Sequence, residues 1–262
     1  MTQDLLIERR DGVATVTFNR PEQRNAIHYE MWRGIGRLME ECGKDESVRV
    51  VVLRGAGQEC FSAGADIAEF DRWRKNSDVA RQYAEVVEAA LDAIATLPKP
   101  TISLITGFCV GGGCEVATAT DLRIAAENSR FGVPIAKLGL LVGYREMQRL
   151  VRLVGPGAAM DLLLTARLID AEEALRLGLV SRLVPLAEIE EAVRKLAVEV
   201  ASLAPLAHRW HKQILETVLT EPRLEALTRE QAQLPFACYD TADFHEGRRA
   251  FLEKRRPQFK GR

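Results

Sequence analysis

Two stretches of the chain, VVVLRGAGQECFSAGAD (residues 50–66) and TISLITGFCVGGGCE (residues 101–115), share one construction. Each begins in a dense apolar run with little alternation, passes through a loop into small residues, and ends on an acid. Runs of that kind predict strands covered on both faces, so helices must lie over them and a mixed α/β body is expected. Near each turn the side chains shrink to Ala or Gly, which leaves backbone N–H groups open to another molecule.

The three glycines Gly111 to Gly113 open a predicted helix, and no Lys or Ser/Thr follows them as a nucleotide phosphate loop requires. They also fail the G-x-G-x-x-G dinucleotide pattern. If Gly112 begins the helix, its N–H is one of the donors the helix cannot satisfy, and the helix dipole adds positive potential there. Glu115, three residues on, shares that face, and helical side chains tilt toward the N-terminus, so its carboxylate leans back over the turn. A fixed carboxylate repels a permanent anion, so the pair suits an anion that forms during a reaction. Tight helix packing at the glycines, with Glu115 acting as a dipole partner, is the competing reading.

The other elements follow from periodicity. LLIERRDGVATVTF alternates across a D-G turn and predicts a hairpin. Ile27, Met31, Ile35, Leu38 and Met39 stand at helical spacing, with a stop expected at Gly43. A helix is expected from about Val79 to Leu97, another entered through Pro156, and a short one between Asp170 as N-cap and Gly178. VSRLVP predicts a strand. From Leu186 the pattern is helical almost throughout. We therefore expect a core over residues 1–200 and a helical region over 201–262, amphipathic and suited to packing between subunits.

Composition narrows the function. With 36 Lys plus Arg against 37 Asp plus Glu, the chain lacks the basic excess of a general nucleic-acid binder. The basic ending EKRRPQFKGR reads as a solvated tail or a local anion contact. Five cysteines without CxxC spacing fit reduced thiols rather than a disulfide framework or zinc site, and Cys109 and Cys114 read as packing residues. The start of the chain has no apolar signal region, and no run is long enough to span a bilayer. A cytoplasmic protein with neither nucleic-acid nor membrane partner is expected. His28, His208, His211 and His245 read as surface or core residues, and no metal site is expected.

The segments FSAGADI (61–67) and GFCVGGGCEVATATDLRIA (107–125), with FNRPEQRNAI, LTARLIDAEEALRLGLVSRLV and AFLEKRRPQF, resemble the crotonase superfamily of enoyl-CoA hydratases and isomerases over nearly the whole chain. The resemblance implies a spiral of ββα repeats, with C-terminal helices that build a trimer or a dimer of trimers. It implies an acyl-CoA thioester as substrate, coenzyme A being part of that substrate, and no separate cofactor. By likeness, the amides of Ala63 and Gly112 form an oxyanion hole beside the catalytic Glu115. Ala63, Gly64, Ala65, Asp66 and Ile67 face the coenzyme A, Arg24 and Ala26 contact it, and Phe251 and Lys254 reach that of a neighbouring subunit. The implied chemistry is fatty-acid type: a nucleophile adds at Cβ, or a proton leaves Cα, and an enolate oxygen forms.

One position departs from the family's pattern. Hydratases of this kind hold a water between two glutamates, and the second should follow Pro134, where Ile135 stands. The downstream glycine-rich stretch is altered too, reading LLVGYREMQRL. Three readings stay open: Glu115 alone hydrates, Glu115 alone moves a proton between Cα and Cγ as an isomerase does, or Tyr144, Arg145 or Glu146 supplies the missing function. Glu146 lies in a helical run and reads first as an exposed helix residue. Arg145 either meets a second carboxylate on an acyl chain or makes a structural ion pair. Decarboxylation, thioester hydrolysis and acyl-CoA binding without turnover are the further alternatives.

Overall fold

The computed structural model describes residues 3–262. Its strands are β1 (Leu5–Arg10), β2 (Val13–Phe18), β3 (Val50–Gly55), β4 (Cys60–Ser62), β5 (Thr101–Ile105), β6 (Phe108–Val110), β7 (Leu122–Ala126), β8 (Arg130–Gly132), β9 (Ile169–Asp170) and β10 (Arg182–Val184). The helices are α1 (Tyr29–Lys44), α2 (Phe70–Trp73), α3 (Ser77–Ala95), α4 (Gly112–Ala119), α5 (Tyr144–Thr165), α6 (Ala171–Arg176), α7 (Ile189–Ala201), α8 (Pro205–Thr220), α9 (Arg229–Gln233) and α10 (Ala242–Leu252).

The strands deal themselves alternately into two sheets. One has the order β1-β2-β3-β5-β7-β10 and the other β4-β6-β8-β9. Thus β3 enters the large sheet and β4 the small one before α3 follows; β5, β6 and α4 repeat the step, and β7 and β8 begin it again. This is a ββα spiral. Apart from the antiparallel pairs β1–β2 and β8–β9, the ladders run parallel.

The non-alternating run in β3 has the expected cause. Val51 and Leu53 face the main core with α1 and α3, while Val50 and Val52 face a second core closed by Ile189, Val193 and Ala197 of α7. Burying such a side chain stabilises by about 1.5–3 kcal/mol, so a strand with two apolar faces holds both layers. Helix α1 sets Met31, Trp32, Ile35, Leu38 and Met39 into the main core, as their spacing predicts. It starts where the His28 ring accepts from the Met31 amide, and it runs one residue past Gly43.

Other ends differ by a residue or two from the sequence expectation. Helix α3 begins at Ser77, because Asn76 caps it by accepting from the Val79 amide. Pro156 does open a helical segment, but behind a second one: α5 starts at Tyr144 and kinks at Gly155, whose φ is 74°. Asp170 caps α6 as expected, accepting from the Glu173 amide. Beyond Pro205 the chain is helical and buries little. Leu215, Val218, Leu219, Leu224, Phe236 and Tyr239 stay exposed there. Among the described residues no helix is long and apolar enough to cross a membrane, and no three His, Cys, Asp or Glu side chains gather as metal ligands.

Candidate active site

Strands β4 and β6 are parallel neighbours, so the turns that leave their C-terminal ends lie side by side. From β4 come Ala63, Gly64 and Ala65; from β6 come Gly111 and Gly112, the start of α4. The contact is close enough to dictate composition. A Cβ on Gly113 would overlap the carbonyl oxygen of Ser62, and one on Gly112 would sit 3.1 Å from the Trp32 ring.

Hydrogen-bond accounting at these turns corrects one expected donor. The amide of Ala63 donates to the carbonyl of Arg24 at 2.9 Å, so it is engaged within the fold. The Gly64 amide is taken by Ser62 Oγ at 3.1 Å and the Asp66 amide by the carbonyl of Ile27. Between them the amide of Ala65 has no acceptor among the described residues, and neither has that of Gly112. The Ala65 nitrogen lies 3.2 Å from the place a Gly112 Cβ would occupy. Two unengaged donors, two residues away from the expected pairing on one side, therefore belong to residues that border the same space.

That space is a cavity of about 140 Å³ whose lining includes Ala65, Gly112, Glu115, Ile135, Leu138 and Leu140 together with Trp32, Phe70, Arg74 and Tyr83. Glu115 is the one acid among the lining residues. Among the described residues no hydrogen bond reaches its carboxylate, and burial, then the nearby Glu146 charge, push its pKa up to about 7, against the pull of Arg74 and Arg149. A carboxyl group poised there can take and return a proton near neutral pH.

The structure relocates the other expected residues. Glu146 is not exposed: it is buried in the first turn of α5, with Oε2 lacking any hydrogen-bond partner. Gly143 makes room for it, since a Cβ there would overlap that oxygen. Helix α5 packs on α4, which carries Glu115. Arg145 makes the ion pair, with Asp92, and lies 3.8 Å from Glu88. Tyr144 is exposed and Ile135 lines the cavity. Asp66 accepts from Arg20 at 2.8 Å and caps the turn that contains Ile67. Arg24 is exposed, its carbonyl being the acceptor for Ala63, and the carbonyl of Ala26 accepts from Arg20. Phe251 and Lys254 are exposed too.

A larger groove of about 710 Å³ lies elsewhere, between α3, α5 and α8, and most of its cations are paired to Asp92, Asp121 and Glu216.

A family model described as Enoyl-CoA hydratase/isomerase matches residues 8–262. The chain belongs to the enoyl-CoA hydratase/isomerase family. Within that family it is 36% identical to a short-chain-enoyl-CoA hydratase of Clostridium acetobutylicum, over 99% of this chain and 98% of that protein. It is also 36% identical to a crotonyl-CoA hydratase of Syntrophomonas wolfei, over 98% of each. An enoyl-CoA hydratase/carnithine racemase of Magnetospirillum magneticum has a crystal structure that superposes with a TM-score of 0.96 at 38% identity, covering 100% of this chain and 97% of that one. The crotonase-type fold and an enzyme of this family are thereby established.

The 70–100 helix region was expected to line the pocket, but the individual residues Arg74 and Tyr83, and Trp32 of α1, were not singled out from the sequence. For Arg74 the signal was the aromatic and basic run FDRWRK, which resembles any exposed helix end.

Proposed function

We propose that this family member hydrates the double bond of a 2-enoyl-CoA thioester. The observation that carries the reading is the convergence of two unengaged amides, Ala65 and Gly112, with the Glu115 carboxyl in one cavity. The thioester oxygen sits between the amides. Glu115, deprotonated, takes a proton from water as the water oxygen bonds to Cβ. The π electrons move onto the thioester oxygen, and the enolate is held by donors that gain strength as its charge grows. The enolate then takes a proton at Cα from Glu115, which returns the carboxylate. Coenzyme A enters and leaves as part of the substrate, with no separate cofactor.

Glu146 takes the second carboxylate's place in this reading. It does not line the cavity, so it acts through Glu115 as a positioning residue: its charge, in the first turn of α5, raises the proton affinity of Glu115. The exposed apolar side chains after Pro205 support assembly with further copies of this chain, as a trimer or a dimer of trimers.

The test is loss of the conjugated absorbance of crotonyl-CoA on adding protein, abolished in Glu115→Gln. Equal inactivity of both proteins across a panel of 2-enoyl-CoAs discards hydration. A second reading is favoured by the single acid in the cavity: one base suffices to move a proton between Cα and Cγ, giving an isomerase. It requires that absorbance to appear from a 3-enoyl-CoA.

A further inference from the structure

The lining of the cavity includes polar groups that the proposed hydration does not use. Arg74 follows α2 and places its guanidinium carbon 4.5 Å from the centre of the Phe70 ring and 4.9 Å from that of Tyr83. Its Nε is buried with no hydrogen-bond partner, and no carboxylate among the described residues pairs with it. Glu69, the residue before α2, accepts from the amide of Tyr29 at 2.7 Å, and neither Asp71 nor Asp78 forms an ion pair with Arg74 among the described residues.

Tyr83 supplies a second donor at the same place. It is 4% exposed, and its hydroxyl oxygen accepts from Trp32 Nε1 at 3.1 Å. That leaves the hydroxyl proton without an acceptor among the described residues. Burial pushes the phenol's pKa up, so it remains a donor at neutral pH. Trp32, Phe70, Arg74 and Tyr83 all line the cavity that holds Glu115 and Gly112.

A cation stacked on two rings keeps part of its interaction energy, but the stack does not satisfy its in-plane N–H groups. A guanidinium with no salt bridge among the described residues, beside a hydroxyl whose proton has no acceptor there, can receive a second anion in the cavity they share with Glu115. Of the two expectations for Arg145, a contact to a second carboxylate or a structural ion pair, the structure shows the ion pair, with Asp92. The geometry points to an acyl chain that ends in its own carboxylate, accepted by Arg74 and by the Tyr83 hydroxyl while the thioester end lies at Ala65 and Gly112. The substrate class is then a short dicarboxylic enoyl-CoA. This rests on the reading of the cavity as an acyl-CoA site, and it adds what the chain's far end must be.

The experiment measures binding of adipyl-CoA and hexanoyl-CoA, saturated thioesters of equal chain length, to the full-length protein and to Arg74→Met, Arg74→Lys and Tyr83→Phe. The wild type is expected to bind adipyl-CoA about tenfold or more tightly than hexanoyl-CoA, because only adipyl-CoA offers a carboxylate to charge-assisted hydrogen bonds from Arg74 and Tyr83. That ratio falls toward one in Arg74→Met, falls less in Arg74→Lys, and drops in Tyr83→Phe. A wild-type ratio of one or below overturns the proposal, as does an Arg74→Met that weakens both ligands by the same factor. Because neither thioester can be hydrated, a preserved ratio together with no turnover of any 2-enoyl-CoA rejects the hydratase reading and leaves this one standing. Failure to bind either thioester rejects both.

Discussion

A Cβ on Gly64 would stand 2.8 Å from the amide nitrogen of Gly112. The two glycines belong to different ββα units, and the missing side chain of one keeps the N–H of the other reachable. Gly64 also has a φ of 95°, which L side chains rarely adopt. Gly64→Ala is therefore expected to block or displace one donor. Its kcat should fall by about 10²–10³-fold, the usual cost of losing an oxyanion donor. Thermal melting checks that the protein still folds, with a strain cost of about 1–3 kcal/mol. Unchanged kcat in a folded Gly64→Ala protein removes Gly112 from the mechanism.

Activity should track the ionisation of Glu115. As a base it must be deprotonated, so kcat/KM is expected to rise with pH through about 7 and then level. Glu115→Gln should lose the limb together with the activity. A limb near the ordinary carboxylate range would mean that burial does not act on this group.

Glu146→Gln provides the control on that limb. Removing the charge deletes one of the causes that raise Glu115, so the limb should move to lower pH. A purely structural role for Glu146 would change melting temperature but leave the limb in place.

Stability should carry the same signature. The folded-state pKa of Glu115 lies above its ordinary value of 4.5, so the folded protein retains a proton that the unfolded chain releases. The stabilisation is fully present below about 4.5 and is lost as pH rises to about 7. Chemical denaturation across that window should show stability falling less steeply for Glu115→Gln than for the wild type. Parallel curves would show that Glu115 ionises alike in both states.

Much of this protein was decided by local pattern. The dense runs at 50–55 and 101–105 required cover on both faces, which α7 and the main core supply. The small-residue turns and the carboxylate at Glu115 were legible for the same reason: strand ends, helix starts and side-chain direction are fixed by neighbours in sequence. Which amide remains free was not. Ala63 and Ala65 look alike along the chain, and only the carbonyl of Arg24, arriving from another turn, claims the first and leaves the second. The burial of Glu146, the pairing of Arg145 with Asp92, and the meeting of Arg74 with Tyr83 were likewise settled by helices packing across the fold. Hydrogen-bond satisfaction and desolvation are sums over everything that surrounds an atom, and the chain brings those surroundings together only when it folds.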